Sequence, residues 1–135
     1  ATPLLGTFFI SIRGGTHNQA SGPSSSVSGG GTNKAEGDWS SVSGGSVNKA
    51  FGSLSAMSGG GFSIAKEQCS FVSGGYENIA EARASSVSGG WGNRAEGDGS
   101  SVLGGCENTA LGYLSMVPST KLKHKEVSTT HRCQW

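Results

Sequence analysis

The sequence predicts an all-β fold, a parallel β-solenoid or β-roll of seven fifteen-residue coils with two short strands per coil. Two observations predict it: an unbroken fifteen-residue period, and an alternation of small residues within each period. A third removes the helical alternative, because 24 of the 135 residues are Gly and no helical apolar period survives that content.

The period is set by one apolar position, numbered zero here: Ile12, Val27, Val42, Met57, Val72, Val87 and Val102, with Val117 beginning an unfinished eighth coil. Positions two and three are Gly-Gly in every coil, from Gly14-Gly15 to Gly104-Gly105. Position six is Asn18, Asn33, Asn48, Asn78, Asn93 and Asn108, with Ser63 the one exception. Position eight is always Ala: Ala20, Ala35, Ala50, Ala65, Ala80, Ala95 and Ala110. Position thirteen is always Ser: Ser25, Ser40, Ser55, Ser70, Ser85, Ser100 and Ser115. Position ten is Gly in five coils and is broken by Glu67 and Ala82.

Around position zero, Ser40 and Val42 share one face and Ser41 and Ser43 the other. Around position eight, Asn48 and Ala50 alternate with Lys49 and Phe51. The repeated residues are therefore the inward ones, and all are small, so the tube is narrow. Fifteen residues at about 3.3 Å give a perimeter near 50 Å, and coils about 4.8 Å apart stack to roughly 34 Å. The Asn column is expected to bond along the stack, since a buried amide needs partners. The Gly pairs (Gly29, Gly30, Gly44, Gly45, Gly59, Gly60, Gly74, Gly75, Gly89 and Gly90 in the middle coils) are expected at the corners, where positive φ costs Gly little. Gly52 and its equivalents are expected to turn the second corner in the same way.

The organisation reads as an N-terminal strand or cap over residues 1–11, the repeat domain over 12–117, and a C-terminal tail or cap over 118–135. Pro118 ends the repeat, and the Lys-rich, Gly-free stretch after it changes character.

Read from Gly30, the landmarks Asn33, Ala35, Gly37, Ser40, Val42 and Gly44 follow at fixed offsets, and from Gly45 they recur as Asn48, Ala50, Gly52, Ser55, Met57 and Gly59. This pattern resembles the head repeat of the YadA-like trimeric autotransporter adhesins over roughly residues 12 to 117. Here Asn replaces the first Ala of that repeat, and a second Gly makes the period fifteen rather than fourteen. The resemblance implies a left-handed parallel β-roll, often trimeric, used in adhesion at a bacterial surface. The repeat is also similar, more weakly, to that of the grass antifreeze proteins, which implies an ice-binding β-roll. Thr, however, forms no column among these coils: Thr16, Thr32 and Thr109 are scattered.

The variable positions carry the large side chains. Trp39, Phe51, Leu54, Phe62, Ile64, Phe71, Ile79, Trp91, Leu111 and Tyr113 are expected on the outside, as an assembly surface. The partner this favours is a second copy of the chain, in a trimer or a head-to-tail filament, with a host or matrix surface as a further partner.

Charged residues are 14% and the formal net charge is +1, which gives no electrostatic case for nucleic acid. No run reaches the length of a membrane span. His17, His124 and His131 lie towards the ends, and Cys69, Cys106 and Cys133 have no metal-ligand spacing, so neither a catalytic site nor a metal or other cofactor is expected. Glu36/Asp38 and Glu96/Asp98 recur without neighbours of their kind, and Lys34/Glu36 and Arg94/Glu96 read as surface ion pairs. The expected function is a non-enzymatic structural protein at a bacterial surface or outside the cell, as a fibre subunit or adhesin head. The alternative is an ice- or glycan-binding module using the outward serines, among them Ser26/Ser28, Ser41/Ser43 and Ser86/Ser88.

Overall fold

The computed structural model describes residues 9–119. They form fifteen two-residue strands in two parallel sheets, with no helix. Odd-numbered strands, from β1 (Ser11–Ile12) to β15 (Met116–Val117), make an eight-stranded sheet, and even-numbered ones, from β2 (Gln19–Ala20) to β14 (Thr109–Ala110), a seven-stranded sheet. The order within each sheet follows the chain, and pairing is in register at an offset of fifteen, as in Val27↔Val42 and Ala35↔Ala50. The chain is a β-solenoid of about seven turns. Residues 1–8 of the expected N-terminal cap and 120–135 of the expected tail, including His124, His131 and Cys133, lie outside the described residues.

The core is two columns of small apolar side chains facing each other across the tube. Val27, Val42, Met57, Val72, Val87 and Val102 stand on one sheet and Ala35, Ala50, Ala65, Ala80, Ala95 and Ala110 on the other, all buried. Met57 is the largest fully buried side chain. Ala80→Leu is expected to overpack this tube and cost about 1–3 kcal/mol or more. Lys49→Leu, on the outward side of the same sheet, is expected to stay within about 0.5 kcal/mol of the parent. Chemical denaturation of both variants checks the inward and outward assignments.

A third ladder of single bridges, unanticipated from sequence, runs through position four: Thr16, Gly31, Ser46, Gly61, Tyr76, Trp91 and Cys106. It ties the Gly-Gly corner along the whole stack.

The two glycines of each pair do different work. The second is left-handed, with φ of 82° at Gly30, 84° at Gly45, 88° at Gly60, 82° at Gly75 and 84° at Gly90. A Cβ on Gly45 would lie 2.1 Å from the carbonyl oxygen of Gly60, so the approach of successive coils requires Gly as well. The first glycine, at Gly29, Gly44, Gly59, Gly74 and Gly89, corrects the expectation: its φ is not positive and a Cβ there would meet nothing within 4 Å. Gly52 differs again. Its φ is ordinary, and what excludes a side chain is the Glu67 carbonyl of the next coil, 2.0 Å from where a Cβ would sit.

Two further left-handed positions per coil are held mostly by other residues. Position five has φ of 53–58° at His17, Thr32, Val47, Phe62, Glu77 and Glu107. Position twelve has φ of 53–59° at Ser24, Trp39, Leu54, Cys69, Ala84 and Leu114. Position twelve is the third residue of a closed turn, in which the Ser40 N–H donates to the Gly37 carbonyl at 3.1 Å. It is braced from the preceding coil, since the Trp39 N–H donates to the Pro23 carbonyl at 2.8 Å. Each such residue carries roughly 1–2 kcal/mol of left-handed strain, which the ladder holds in place.

The Asn column is buried at Asn33, Asn48, Asn78 and Asn93, and bonds to backbone rather than amide to amide. The Asn48 Nδ2 donates to the carbonyls of Gly44 and Gly60, both at 3.0 Å. Its Oδ1 accepts from the N–H of Ser63 at 3.2 Å. Each Asn thus closes its own corner and pins the next coil. Asn18, in the first coil, is only half-buried but makes the same bonds. Ser63 keeps half the role: its hydroxyl accepts from the Asn78 N–H at 3.1 Å and donates to Gly61.

The inward serines divide by coil. In four of the coils with Gly at position ten, the hydroxyls of Ser25, Ser40, Ser55 and Ser115 are buried without a hydrogen-bond partner, Ser100 being the exception. Where it is Glu67 or Ala82, the hydroxyls of Ser70 and Ser85 donate to those carbonyls at 2.6 Å. Ser100 accepts from the Gly97 N–H at 3.1 Å. Ser85→Ala is therefore expected to cost about 1 kcal/mol and Ser40→Ala nothing, or to stabilise slightly. Paired thermal melts of the two variants check it.

Candidate assembly surface

Outward positions are fixed by the pleat, so a large residue there has no interior to enter. Trp39, Phe51, Leu54, Phe62, Phe71, Leu111 and Tyr113 are exposed, with Trp39 at 66% and Tyr113 at 78%. Leu103, Leu114 and Met116 join them around the seventh coil. Three expected members differ: Ile64, Ile79 and Trp91 are half-buried. Ile64 and Ile79 pair in register on adjacent coils and shield each other. Trp91 packs on Tyr76, ring centroids 6.1 Å apart, and its Nε1–H donates to Glu77 at 3.2 Å. Tyr76 also meets Phe62 at 5.3 Å, so three successive coils share an aromatic column beside the third ladder.

Around Glu81 the charge on the seven-stranded sheet is locally neutralised. Glu81 receives Arg94 and Lys66, and Arg94 also reaches Glu96 at 3.1 Å. The Arg94 hydrogen bond holds the Glu81 carboxyl below the usual carboxylate range, with Lys66 adding to the effect against some desolvation. Arg94 is correspondingly raised, chiefly by its bond to Glu81. Lys34 and Glu36, expected to pair, form no ion pair: Glu36 is exposed, and the half-buried Lys34 sits in register beside Lys49. Arg83 meets Asp98 of the next coil at 3.4 Å. These are exposed pairs that contribute little to stability.

A groove of about 400 Å³ runs along positions eleven and twelve of coils four to seven, lined by Cys69, Arg83, Ala84, Asp98, Gly99 and Leu114 among others. Cys69 is a free, exposed thiol there. Among the described residues, no group of three or more His, Cys, Asp or Glu side chains is placed to hold a metal ion, and no helix is long and apolar enough to cross a membrane. No family model and no curated protein matches this sequence.

The eight-stranded sheet presents something else. Position one is Ser28, Ser43, Ser58, Ser73 and Ser88 in unbroken succession, between Arg13 and Leu103. Four of the five are exposed and Ser73 is half-exposed. Ser28, Ser43 and Ser88 are outward serines expected from the alternation, and Ser58 and Ser73 complete their rank.

Proposed function

We propose that this chain is a non-enzymatic structural element that associates with copies of itself, as a subunit of an extracellular fibre or as the head of a surface adhesin. One observation carries the reading: side-chain size is inverted between inside and outside. The tube takes nothing larger than Met57, while Trp39, Phe51, Leu54, Leu111, Tyr113 and Leu114 stand in solvent. Apolar surface of that kind, on a scaffold too narrow to withdraw it, marks an interface. The same narrowness supports the non-enzymatic reading, because small side chains fill the interior and the charged groups stand on the surface, several of them in pairs. The placement at a bacterial surface rests on the likeness to adhesin head repeats.

Light scattering with electron microscopy on the purified chain tests the proposal. Filaments or a compact multimer are expected, and a monomer at micromolar concentration overturns it. The serine rank favours one second reading, an ice- or glycan-binding face. Its hydroxyls stand about 4.8 Å apart along the stack, and about 6.6 Å from the neighbouring rank that includes Ser26 and Ser41. Retention on growing ice or on a glycan array, abolished by Ser58→Tyr, would support that reading, and equal retention of the variant would sink it.

A further inference from the structure

From the second coil to the sixth the position-twelve column is graded, Trp39, Leu54, Cys69, Ala84, Gly99, with Ser24 before it and the exposed Leu114 after it. At its large end the side chains project, Trp39 at 66% and Leu54 at 54% exposure. At its small end lies the groove of about 400 Å³, lined by Ala84 and Gly99 and bounded by Leu114, whose Cδ2 lies 2.6 Å from where a Cβ on Gly99 would sit. Knobs and hole are on one line, in one chain, with a constant rise between them.

We propose that two copies pair along this column in antiparallel orientation, with Cys69 beside the two-fold axis. The proposal rests on the self-association reading and specifies its joint. Reversing the column about Cys69 sets Trp39 against the partner's Gly99, and Leu54 against the partner's Ala84. By symmetry each contact occurs twice, as an isologous interface requires. Because both copies have the same coil spacing, the match does not drift along the axis. A parallel pairing in register would set Trp39 on Trp39 and Gly99 on Gly99, leaving one end jammed and the other empty. At position eleven the same operation sets Ser53 against the partner's Arg83 and Asp38 against the partner's Asp98, a like-charge approach that the Arg83–Asp98 pair of each copy must offset. At position fourteen the exposed Phe71 faces its own copy beside the axis. Bulky residues at a strained left-handed position are thus explained: φ of 59° at both Trp39 and Leu54 aims them out of the corner.

The test uses the full chain. A short bis-maleimide is expected to link two chains through Cys69 on each, located by peptide mass mapping and lost in Cys69→Ser. Ala84→Leu fills the hole and Leu54→Ala removes the knob. Each is expected to weaken association roughly tenfold or more. The double variant Leu54→Ala/Ala84→Leu exchanges knob and hole on both copies and is expected to restore it. Leu is compatible with this backbone, since Leu54 and Leu114 hold the same position at φ 59° and 54°. If Ala84→Leu nevertheless fails to fold, Trp39→Ser reads the same seam, because Ser24 occupies the equivalent corner. A multimer with no Cys69 link, or a double variant no better than its parents, overturns the antiparallel seam and leaves self-association standing. A monomeric parent chain overturns both.

Discussion

Gly45→Ala is expected to destabilise the chain by about 4 kcal/mol or more, the range reserved for changes the backbone cannot absorb. Two costs add. The left-handed φ of 84° charges any L-residue roughly 1–2 kcal/mol. The new methyl would lie 2.1 Å from the Gly60 carbonyl oxygen, 2.5 Å from the Asn48 amide nitrogen and 2.8 Å from the Gly60 nitrogen. Two of those atoms belong to main chain fixed by the third ladder, so the coils must part. Gly44→Ala is the control: its Cβ meets nothing within 4 Å and its φ is unexceptional, so it should lie within about 0.5 kcal/mol of the parent. Urea denaturation followed by circular dichroism separates the two. Equal losses would contradict the distinction drawn between the paired glycines.

Asn48→Ala is expected to cost about 3 kcal/mol or more. It strips a partner from the Gly44 and Gly60 carbonyls and from the Ser63 N–H at once. The buried Ser63 N–H left unpaired costs about 1–3 kcal/mol and the half-buried Gly44 carbonyl adds to it, while the Gly60 carbonyl keeps the Ser46 N–H at 2.9 Å. Asn48→Ser should cost less than Asn48→Ala, because Ser63 shows that a hydroxyl at this position still accepts the next coil's N–H. Unfolding free energies of the two variants check the order, and Ser proving no better than Ala would sink the ladder account.

The period, the two strands and the inward columns were legible because identical residues at one offset must share one environment. Val42, Asn48, Ala50 and Ser40 declare themselves by repetition. What repetition could not convey was the reason for each repeat. Gly44 recurs as faithfully as Gly45, yet only Gly45 has a left-handed backbone and a carbonyl against its Cα. The strained corners at positions five and twelve were illegible for the opposite reason. His17, Trp39, Val47 and Leu54 share no chemistry, and nothing in residue type marks a φ imposed by neighbouring coils. The outer surface was partly legible. Alternation alone places Phe51 and Phe71 outside, but the mutual shelter of Ile64 and Ile79 and the stacking of Trp91 on Tyr76 depend on which residue stands in the next coil.

The constant offset of fifteen also decides how the molecule comes apart. Every strand touches only the strands one coil before and after it in its own sheet and its chain neighbours across the tube. Stability is then a sum of nearest-neighbour terms along a line, and order spreads by nucleation at one coil and growth in both directions, as a zipper closes. A lesion in the middle then does more harm than the same lesion at an end. Breaking the third coil leaves two stacks, each too short to support a nucleus as well as the parent did.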